Sequence, residues 1–404
     1  MILTLVQIFC WIIFIYLLIS AFYLFLSAVL GRLVPPTRYS PIEEKKRIAV
    51  LIPTYKEDAI IINSAIKAKQ HNYPKDKFEV FLVADSLQPE TIRKLRDLPV
   101  NVLEVSFEKS SKDRSLNKLL NHIPATEFEI ALILDADNVM MDGCLEQINA
   151  AFHKGFKAVQ IHRSAKNTNT SSALLDGISE EVNNHLFRRG MRAMGFSSIT
   201  IGSGMAFEFW KLKEIYDKPG ILGNPACDRE VDFEVSKAGY VIEFIDDAVV
   251  LDEKVSSRAV FEKQRTRWLE SQIIHLRLFF NESNWKDKNK HYWNKLFINL
   301  MLPRSYYIIL FGLALIISCI DYLTPNSWII PANPAWPIAS GLFFSAFLLS
   351  IPSSYYNLRS LKAILQVPVL LFSIVRALFK MNVDREEFVH TPKTFSEDME
   401  TKKK

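Results

Sequence analysis

Short apolar runs alternate with segments of helical spacing between residues 48 and 161. Apolar runs of about four to eight residues predict buried strands, and apolar positions three and four apart predict helices. The predicted strands are residues 48–52, 78–84, 100–105, 130–134 and 158–161, and the predicted helices are residues 59–70, 90–96, 113–121 and 143–152. This alternation predicts an α/β fold with a parallel, doubly wound sheet.

The first 31 residues form an apolar stretch without a charged side chain. A transmembrane helix needs about 20 such residues, and a cleavable signal peptide has a basic start that this stretch lacks. We therefore predict an uncleaved transmembrane anchor over residues 1–31. Basic residues follow from Arg32 through a predicted linker, residues 32–47, so the positive-inside rule predicts a cytoplasmic domain over residues 48–285.

Three more apolar blocks make up a predicted membrane region over residues 296–380. Residues 296–320, which include Arg304, and residues 328–351, which carry no charge, predict two transmembrane helices. Residues 361–378 contain Pro368 and Arg376, which favours an interfacial or re-entrant helix, with a full span as the alternative. A charged tail, residues 381–404, is expected inside, and the pattern predicts a multi-pass protein of the cell membrane.

Composition argues against several function classes. The net charge is only +5 and no basic run is interleaved with aromatic residues, so no nucleic-acid partner is expected. The four cysteines form no C-x-x-C pattern and indicate neither disulfide bonds nor a zinc site. The chain has no P-loop, and Gly202-Ser203-Gly204 lacks the third glycine of a dinucleotide-binding turn, which argues against a P-loop ATPase and a Rossmann dehydrogenase.

Polar side chains follow the predicted strands at the point where each strand ends. Asp135 and Asp137 come directly after the apolar run 130–134. Ligands of open α/β sheets bind at this edge, and paired carboxylates there favour Mg²⁺ or Mn²⁺. A polar loop is the alternative for an isolated D-x-D; a calcium EF-hand loop is disfavoured because Val139 and Met140 replace a ligand and the turn glycine. The other polar residues near this predicted edge are Thr54, Tyr55, Glu57, Asp58, Asp85, Ser86 and Lys112.

Seven short motifs follow one another along residues 52–268. They are IPTYKED (52–58), VADS (83–86), KDRSLN (112–117), DAD (135–137), GSGMAF (202–207), CDREVDFEVSKAGY (227–240) and QRTRW (264–268). Their order resembles the membrane-integrated, processive family-2 glycosyltransferases, which include cellulose, chitin, hyaluronan and poly-N-acetylglucosamine synthases. The resemblance covers about residues 48–270 and implies a GT-A-type doubly wound α/β domain with transmembrane helices.

The resemblance implies a nucleotide-diphospho sugar donor, with a UDP-sugar as the first expectation, and Mg²⁺ or Mn²⁺ as cofactor. Asp137 matches a direct metal ligand, and Asp135 matches a residue that faces ribose or metal. Lys112 matches a lysine that reaches the phosphates, with a solvent-facing lysine as the alternative because Lys109 and Lys118 are close. The residues that match donor-binding positions are Thr54, Tyr55, Glu57, Asp85, Lys112 and Asp135.

Asp228 matches the general base that takes the proton from the acceptor hydroxyl. One base opposite one leaving group implies inversion at the anomeric carbon. Cys227 departs from the family pattern, because a thiol stands beside the base where a glutamate or threonine is common. Asp232 and Glu230 are nearby alternatives to Asp228.

The last motif implies contacts to the acceptor and to the diphosphate. Arg265 and Arg267 bring positive charge for diphosphate oxygens, and Trp268 offers a flat face for a sugar ring. An amphipathic helix at the lipid headgroups is the alternative for this segment. Glu208 is a further departure, because arginine is common there. The predicted acceptor and diphosphate residues are Gly202, Ser203, Gly204, Gln264, Arg265, Arg267 and Trp268.

These assignments predict an inverting, metal-dependent hexosyltransferase that acts on a glycan, with exopolysaccharide synthesis as the first expectation. A single transfer to a membrane lipid is the nearest alternative, because so few helices leave little room for a polymer channel. A catalytically inactive membrane scaffold that binds nucleotide sugar is the alternative of another class. The predicted partners are the nucleotide-sugar donor, a glycan or lipid acceptor and membrane lipids.

Overall fold

The computed structural model describes residues 2–379, except residues 219, 224–226, 255–257, 282–284, 287 and 326. The predicted charged tail, residues 381–404, lies outside the described residues. The strands are β1 (Ile48–Tyr55), β2 (Phe78–Asp85), β3 (Asn101–Val105), β4 (Ile130–Ile133), β5 (Val139–Met140), β6 (Ala158–Ala165), β7 (Met205–Glu208) and β8 (Ile242–Asp252).

The α-helices fall into an amino-terminal helix, the helices of the α/β domain and those of the membrane region. They are α1 (Ile2–Leu33), α2 (Ile61–Lys69), α3 (Pro89–Arg96), α4 (Lys112–His122), α5 (Cys144–His153), α6 (Ser171–Asn184), α7 (Gly190–Ala193), α8 (Phe209–Tyr216), α9 (Cys227–Lys237), α10 (Arg258–Asn281), α11 (Lys290–Leu300), α12 (Arg304–Tyr322), α13 (Ala335–Ser350), α14 (Leu358–Ile364) and α15 (Val367–Phe379). A π-helical turn, His185–Arg189, joins α6 to α7. Each strand and helix predicted between residues 48 and 161 is present, with ends that differ by at most four residues.

One sheet holds the strands in the order β3-β2-β1-β4-β7-β6-β8-β5. The first four are parallel, as predicted, but β7 is antiparallel to both β4 and β6. The chain enters β7 from the edge where β4 ends, because the Gly204 amide donates to the Ile133 carbonyl at 2.8 Å. β7 therefore runs opposite to β4, and the sheet is mixed rather than wholly parallel as predicted.

Helices cover both faces of this sheet, which makes the fold doubly wound as expected. Val50 and Ile52 of β1 pack in one core with α2, α3 and α5, whereas Leu51 packs in a second core with α4, α8 and α9. All three side chains are at most 1% exposed. Strands that are buried on both faces have apolar residues at successive positions. This burial explains why the strands appear in the sequence as continuous apolar runs and not as alternating apolar and polar residues.

Two helices of the described chain are long and apolar enough to cross a membrane, Thr4–Leu33 and Arg304–Tyr322. The pair α14 and α15 also passes this test together, with a bend of 45° that suits either a broken span or a re-entrant loop. Both alternatives for the third apolar block therefore stay open. α13 is apolar but has only 16 residues.

The apolar block predicted from residue 296 is divided in the structure. α11 ends at Leu300, and α12 begins at Arg304 directly after Pro303. Proline has no backbone N–H and cannot continue the hydrogen bonds of a preceding helix. α11 belongs to the α/β domain instead, because its buried Lys295 pairs with Asp232 of α9 at 2.7 Å.

The apolar helices α1, α12 and α13 pack on each other and on the α/β domain. Phe343 of α13 stacks on Phe311 of α12 with ring centres 5.0 Å apart. α1 runs along α13 and also contacts the π-helical turn, where the Ser27 hydroxyl donates to the Leu186 carbonyl at 2.6 Å. The turn therefore ties the amino-terminal helix to the domain that carries the sheet.

Candidate active site

Three carboxylates meet at the carboxyl edge of the sheet. Asp135 and Asp137 follow β4, and Asp252 is the last residue of β8; each offers an oxygen, and these oxygens all lie within 4.8 Å of one another. Asn138 holds two of them, because its Nδ2 donates to Asp137 Oδ1 at 3.4 Å and to Asp252 Oδ1 at 3.3 Å. The Glu253 amide also donates to Asp137 Oδ2 at 3.2 Å.

The donor set fits a hard divalent cation. Mg²⁺ and Mn²⁺ prefer carboxylate oxygens, whereas zinc sites usually contain histidine or cysteine. Like charges this close repel one another and require nearby cations. Lys112 pairs with Asp135, and Lys254 Nζ pairs with Asp252 Oδ2 at 2.9 Å. Asp135, Asp137 and Asp252 are therefore the residues that would hold a metal ion.

Lys112 lies at the first position of α4 and points into the crevice. Its Nζ donates to Asp135 and, at 2.6 Å, to the Gly202 carbonyl. Burial lowers the pKa of Lys112, but the negative charges of Asp135 and Asp228 raise it by more, so the net shift of the pKa is upward. A cationic side chain at a helix N-terminus is a favourable partner for phosphate oxygens. The solvent-facing alternative for this lysine does not fit these contacts.

Asp228 faces the same crevice from the first turn of α9. It lies against the backbone of Gly202, where an added Cβ would be 3.1 Å from Asp228 Oδ2. The alternative base Asp232 is engaged elsewhere, because its Oδ1 accepts hydrogen bonds from Lys295 at 2.7 Å and from the Thr200 amide at 3.1 Å. The geometry therefore favours Asp228 over Asp232 as the group that meets an acceptor.

Cys227 and Glu208, the two departures from the family pattern, differ in position. Cys227 is buried beside Asp228, and burial raises the pKa of its thiol, which keeps the group neutral. Glu208 pairs in register with Ile130, the first residue of β4, and therefore lies at the opposite edge of the sheet from the three carboxylates. Its nearest cation is Lys157, at 3.6 Å.

The predicted nucleotide-binding residues lie at the ends of β1 and β2. Tyr55 and Asp85 are register partners, and Thr54 and Asp85 are buried. The Ser86 hydroxyl donates to Asp85 Oδ1 at 2.9 Å, but Asp85 Oδ2 and Thr54 Oγ1 have no hydrogen-bond partner among the described residues. Buried polar atoms are nearly always paired in folded proteins, so these two atoms are candidates for contact with a ligand. Glu57 lines the cavity nearby.

Gly202, Ser203 and Gly204 have three different surroundings. Gly202 lines the cavity between Lys112 and Asp228, as described above. The Ser203 hydroxyl contacts Asn138 and accepts from the Asp135 amide at 3.2 Å, so it supports the carboxylate loop. Gly204 has φ of +63°, and an added Cβ would lie 2.8 Å from both Ile161 and Val250. Only Gly202 of the three faces the predicted acceptor side.

The residues of the last motif lie on α10, which contacts the apolar helix α15. Gln264, Arg267 and Trp268 line the cavity, as does Arg265. Arg265 stacks over the Trp268 ring at 4.0 Å and pairs with Asp176 of α6 at 2.5 Å. Burial lowers the pKa of Arg265, and the nearby charge of Asp176 raises it by a smaller amount. The ion pair therefore offsets part of the cost of burying the guanidinium.

Sequence reasoning missed several charged residues of the site. Asp252 ends an apolar strand, as Asp135 does, so its position could have been recognised from the run that precedes it. Arg163 and Glu180 pair at 2.9 Å, and Lys254 lies 3.5 Å from the same carboxylate. These residues come from β6, from α6 and from the segment after β8, and only the folded chain brings them together.

A cavity of about 2040 Å³ connects the carboxylates with the apolar helices α12, α13 and α15. Pockets for a single small molecule usually measure about 300–1,000 Å³, so this cavity has room for two ligands side by side. One end is lined by Asp135, Asp137 and Lys112. The other end, called the apolar arm below, is lined by Ile308, Phe344, Phe347, Leu370, Leu371 and Ile374.

The sequence from residue 46 to residue 271 matches the family described as glycosyltransferase like family 2. The chain belongs to this family. It is 23% identical over 236 residues to a protein of Bacillus subtilis named probable glycosyltransferase YdaM, matching 56% of this chain and 55% of that protein. It is also 23% identical over 232 residues to a beta-monoglucosyldiacylglycerol synthase of Trichormus variabilis, matching 55% of this chain and 48% of that protein. The chain spans about half the length of these relatives.

One solved structure covers nearly the whole chain. It is the mannosyltransferase PcManGT from Pyrobaculum calidifontis in complex with GDP-Man and Mn²⁺, with a TM-score of 0.56, 17% identity, and coverage of 92% of this chain and 99% of that one. At this identity the likeness shows the fold alone. The predicted GT-A-type fold is confirmed, with the mixed sheet described above.

Proposed function

We propose that the protein transfers a sugar from a nucleotide-diphospho sugar to an acceptor hydroxyl with inversion, using a divalent metal ion. The observation that carries this proposal is the meeting of Asp135, Asp137 and Asp252 with Lys112 and Asp228 in one crevice. Mn²⁺ or Mg²⁺ bound at the three carboxylates would neutralise charge on the departing diphosphate. A UDP-sugar is the first expectation for the donor.

The protein residues have separate tasks in the proposed reaction. Thr54, Tyr55, Glu57 and Asp85 bind the nucleoside, and Lys112 pairs with phosphate oxygens as negative charge grows there. Asp228 takes the proton of the acceptor hydroxyl, and general-base catalysis of this kind contributes about 10²–10⁴-fold. Attack opposite the leaving group gives inversion at the anomeric carbon.

The acceptor is the point at which we depart from the first sequence expectation, a glycan in exopolysaccharide synthesis. The cavity extends from the carboxylates to the apolar arm between membrane helices. Apolar walls suit hydrocarbon chains, whereas a sugar polymer would leave its hydroxyl groups without partners there. We therefore favour a single transfer to a membrane lipid, the alternative that the sequence also allowed.

The proposed setting is a membrane whose cytoplasmic side carries the α/β domain. Basic residues from Arg32 onward follow α1, and the positive-inside rule supports this orientation. The Arg32 side chain donates to the carbonyls of Leu349 and Ile351, at 2.6 and 2.7 Å, so the ends of α1 and α13 lie on one side of the bundle. A multi-pass topology follows if α1 and α12 both cross.

The test is transfer from a panel of radiolabelled UDP- and GDP-sugars by membranes that contain the protein, with Mn²⁺, with Mg²⁺ and after chelation. The variant Asp137→Asn removes one charged ligand, and Asp142→Asn, at an exposed aspartate five residues further on, is the matched control. We expect transfer that needs metal and Asp137 but not Asp142.

Undiminished transfer after chelation would contradict the metal assignment. Absence of both transfer and metal-dependent nucleotide binding with every donor would contradict the proposed function as a whole. Nucleotide-sugar binding without any transfer would favour the catalytically inactive scaffold, the alternative of another class.

A further inference from the structure

We propose that the acceptor is a phosphate-bearing membrane lipid with a hydroxylated head. Its hydroxyl lies at Asp228, its phosphate lies between Arg265 and Arg304, and its hydrocarbon chains occupy the apolar arm. This inference rests on the proposed function, because it names the acceptor of the same site. The inference about the acceptor and the proposed function can be tested separately, since donor binding can be measured without an acceptor.

The apolar arm has the shape of a groove for hydrocarbon chains. Val367, Leu370, Leu371 and Ile374 recur at the spacing of one helical face, and all four line the cavity. Phe372, on the outer face of α15, is 58% exposed. Ile308, Phe344 and Phe347 line the cavity from α12 and α13. Burying polar sugar hydroxyls against these walls would be costly, whereas burying lipid chains is favourable.

Two guanidinium groups lie where the apolar arm meets the polar crevice. Arg304, the first residue of α12, donates through Nη2 to the carbonyl and hydroxyl oxygens of Ser179, both at 3.0 Å. Its Nη1 is shielded from solvent and has no hydrogen-bond partner among the described residues. Arg265 pairs with Asp176, which lies three residues before Ser179 on the same helix, α6. The buried Nη1 of Arg304 therefore favours an anionic ligand.

Glu180, the carboxylate near Arg304, is shared among several cations. Glu180 is the carboxylate within reach of Arg304, but it already pairs with Arg163 at 2.9 Å and lies 3.5 Å from both Arg188 and Lys254. Arg188 is also within reach of Arg304. Guanidinium groups bind phosphate through two parallel hydrogen bonds, so Arg265 and Arg304 suit a phosphate better than a neutral head.

The depth of Arg304 fits a lipid phosphate. Arg304 begins a candidate membrane span, and its guanidinium lies 5.6 Å from the Phe347 ring near the end of α13. It therefore lies where α12 and α13 meet α6, at the wall of the same cavity. A lipid whose chains enter the arm would place its phosphate at this level.

The proposed transfer needs no reactant other than the acceptor hydroxyl and the nucleotide-sugar donor. The hydroxyl oxygen forms a bond to the anomeric carbon, and the bond from that carbon to the diphosphate oxygen breaks. The proton passes to Asp228, and the nucleoside diphosphate leaves with the bonding electrons. The lipid phosphate stays unchanged and only positions the head.

The experiment uses the purified full chain in a detergent that contains neither phosphate nor sugar, with Mn²⁺ and a labelled donor. Three lipid acceptors are compared: phosphatidylglycerol, a polyprenyl-diphosphate-linked monosaccharide and diacylglycerol. A soluble oligosaccharide is the fourth. The first two share the proposed chemistry, and the one that accepts sugar identifies the source of the phosphate. Binding of the nucleoside diphosphate by calorimetry reports on the donor site independently.

We expect transfer to a phosphate-bearing lipid and little to diacylglycerol or to the oligosaccharide. Arg304→Gln should lower kcat/KM for the phosphate-bearing lipid by about 10- to 100-fold, the usual range for a lost charge-assisted hydrogen bond. Arg376→Gln, which changes an exposed arginine of α15, is the matched control. Leu371→Trp should raise KM for the lipid by filling the arm, and Phe372→Trp on the outer face should not.

Equal use of diacylglycerol or oligosaccharide by the unmodified protein would overturn the inference, whether or not any variant folds. An equal loss with Arg304→Gln on neutral and phosphate-bearing acceptors would also overturn it. If the nucleoside diphosphate binds with Mn²⁺ but no phosphate-bearing lipid accepts sugar, this inference fails and the proposed function stands. If the nucleoside diphosphate does not bind, the proposed function fails first.

Discussion

The two ends of the cavity are built by different means. At the proposed donor end, short polar loops follow strands. Asp137 and Asp252 accept hydrogen bonds from the Asn138 side chain, Asp137 also accepts one from the Glu253 amide, and the Asp135 amide donates to Asn138 Oδ1. At the proposed acceptor end, the apolar arm is lined by apolar side chains of α12, α13 and α15. The hydrogen-bonded carboxylates suit a diphosphate and a metal ion, which need fixed geometry. The apolar arm would select its ligand by shape and by hydrophobic burial.

Asp228 lies where these two ends meet, and its replacement should have the largest effect. Asp228→Asn keeps the size of the side chain but removes its basicity, so kcat should fall by about 10²–10⁴-fold. Nucleotide binding should change little, because Asp228 is not among the three carboxylates of the metal site. Steady-state kinetics with calorimetry on the same sample measures both. Retention of full transfer at normal protein levels would remove Asp228 from this role.

Asp252 tests the donor end alone. Asp252→Asn replaces a charged oxygen of the metal site, and we expect the apparent affinity for Mn²⁺ to fall by at least about 10–100-fold, the loss usual even for indirect supports of a metal. Asp247→Asn, at an exposed position of the same strand, is the control. Titration of activity with Mn²⁺ gives the affinity. Overlapping titration curves for Asp252→Asn and Asp247→Asn would limit the site to Asp135 and Asp137.

Trp268 tests the border of the acceptor end. Trp268→Ala removes a ring that stacks on Arg265 and lines the cavity, and aromatic contacts of this kind contribute about 0.5–1.5 kcal/mol. KM for the acceptor should rise by up to about tenfold, while KM for the donor stays the same. Trp210→Ala, at a tryptophan that is 50% exposed on α8, is the control. A larger change in donor KM than in acceptor KM would place Trp268 at the donor end.

His162 tests the packing of β6 against α6 and β8, away from both ends of the cavity. Its replacement should have the smallest effect of the four. It lies on β6 between Asp246 at 2.8 Å and Glu181 at 2.9 Å. Burial lowers the pKa of His162, but hydrogen bonds and charge from these carboxylates raise it by more, to about 9. Burial raises the pKa of Glu181 and of Asp246, but His162 together with other neighbours, such as Ser164 and Arg189, lowers both by more.

The sign of the pH effect follows from these shifts. Because the pKa of His162 is raised in the folded state, its stabilisation is complete below its ordinary value of about 6.5 and is lost as pH rises through about 9. We expect Tm to fall between pH 7 and pH 10 by roughly 2–4 °C more in the unmodified protein than in His162→Gln. Thermal unfolding of both proteins at several pH values measures this. Parallel curves would contradict the predicted ion pair.

The sequence revealed the donor end better than the acceptor end for a physical reason. Asp135, Asp137, Asp85 and Lys112 lie beside regular elements whose period identifies them, and parallel strands bring their carboxyl ends to one edge. The strand direction of β7 could not be predicted, because it depends on where the chain enters the sheet after the glycine loop.

The acceptor end depends on contacts between elements far apart in sequence. Asp176 of α6 and Arg265 of α10 pair across 89 residues, and Arg304 approaches them from α12. Nothing local distinguishes the cavity face of α15 from its outer face, since Leu371 and Phe372 are both apolar. Only the packing of the helices shows that Leu371 faces the cavity and Phe372 does not. In the same way, only the strand register shows that Glu208 lies far from the site that its motif suggested.

The most direct test of a single, metal-dependent transfer to a lipid is the mass of the labelled product made by membranes that contain the protein, given a nucleotide sugar and Mn²⁺. We predict one lipid-soluble species heavier than its acceptor by a single sugar, absent after chelation and in Asp228→Asn. A ladder of products or a water-soluble polymer would contradict the single transfer to a lipid. A lipid product formed equally well without metal would contradict the donor site.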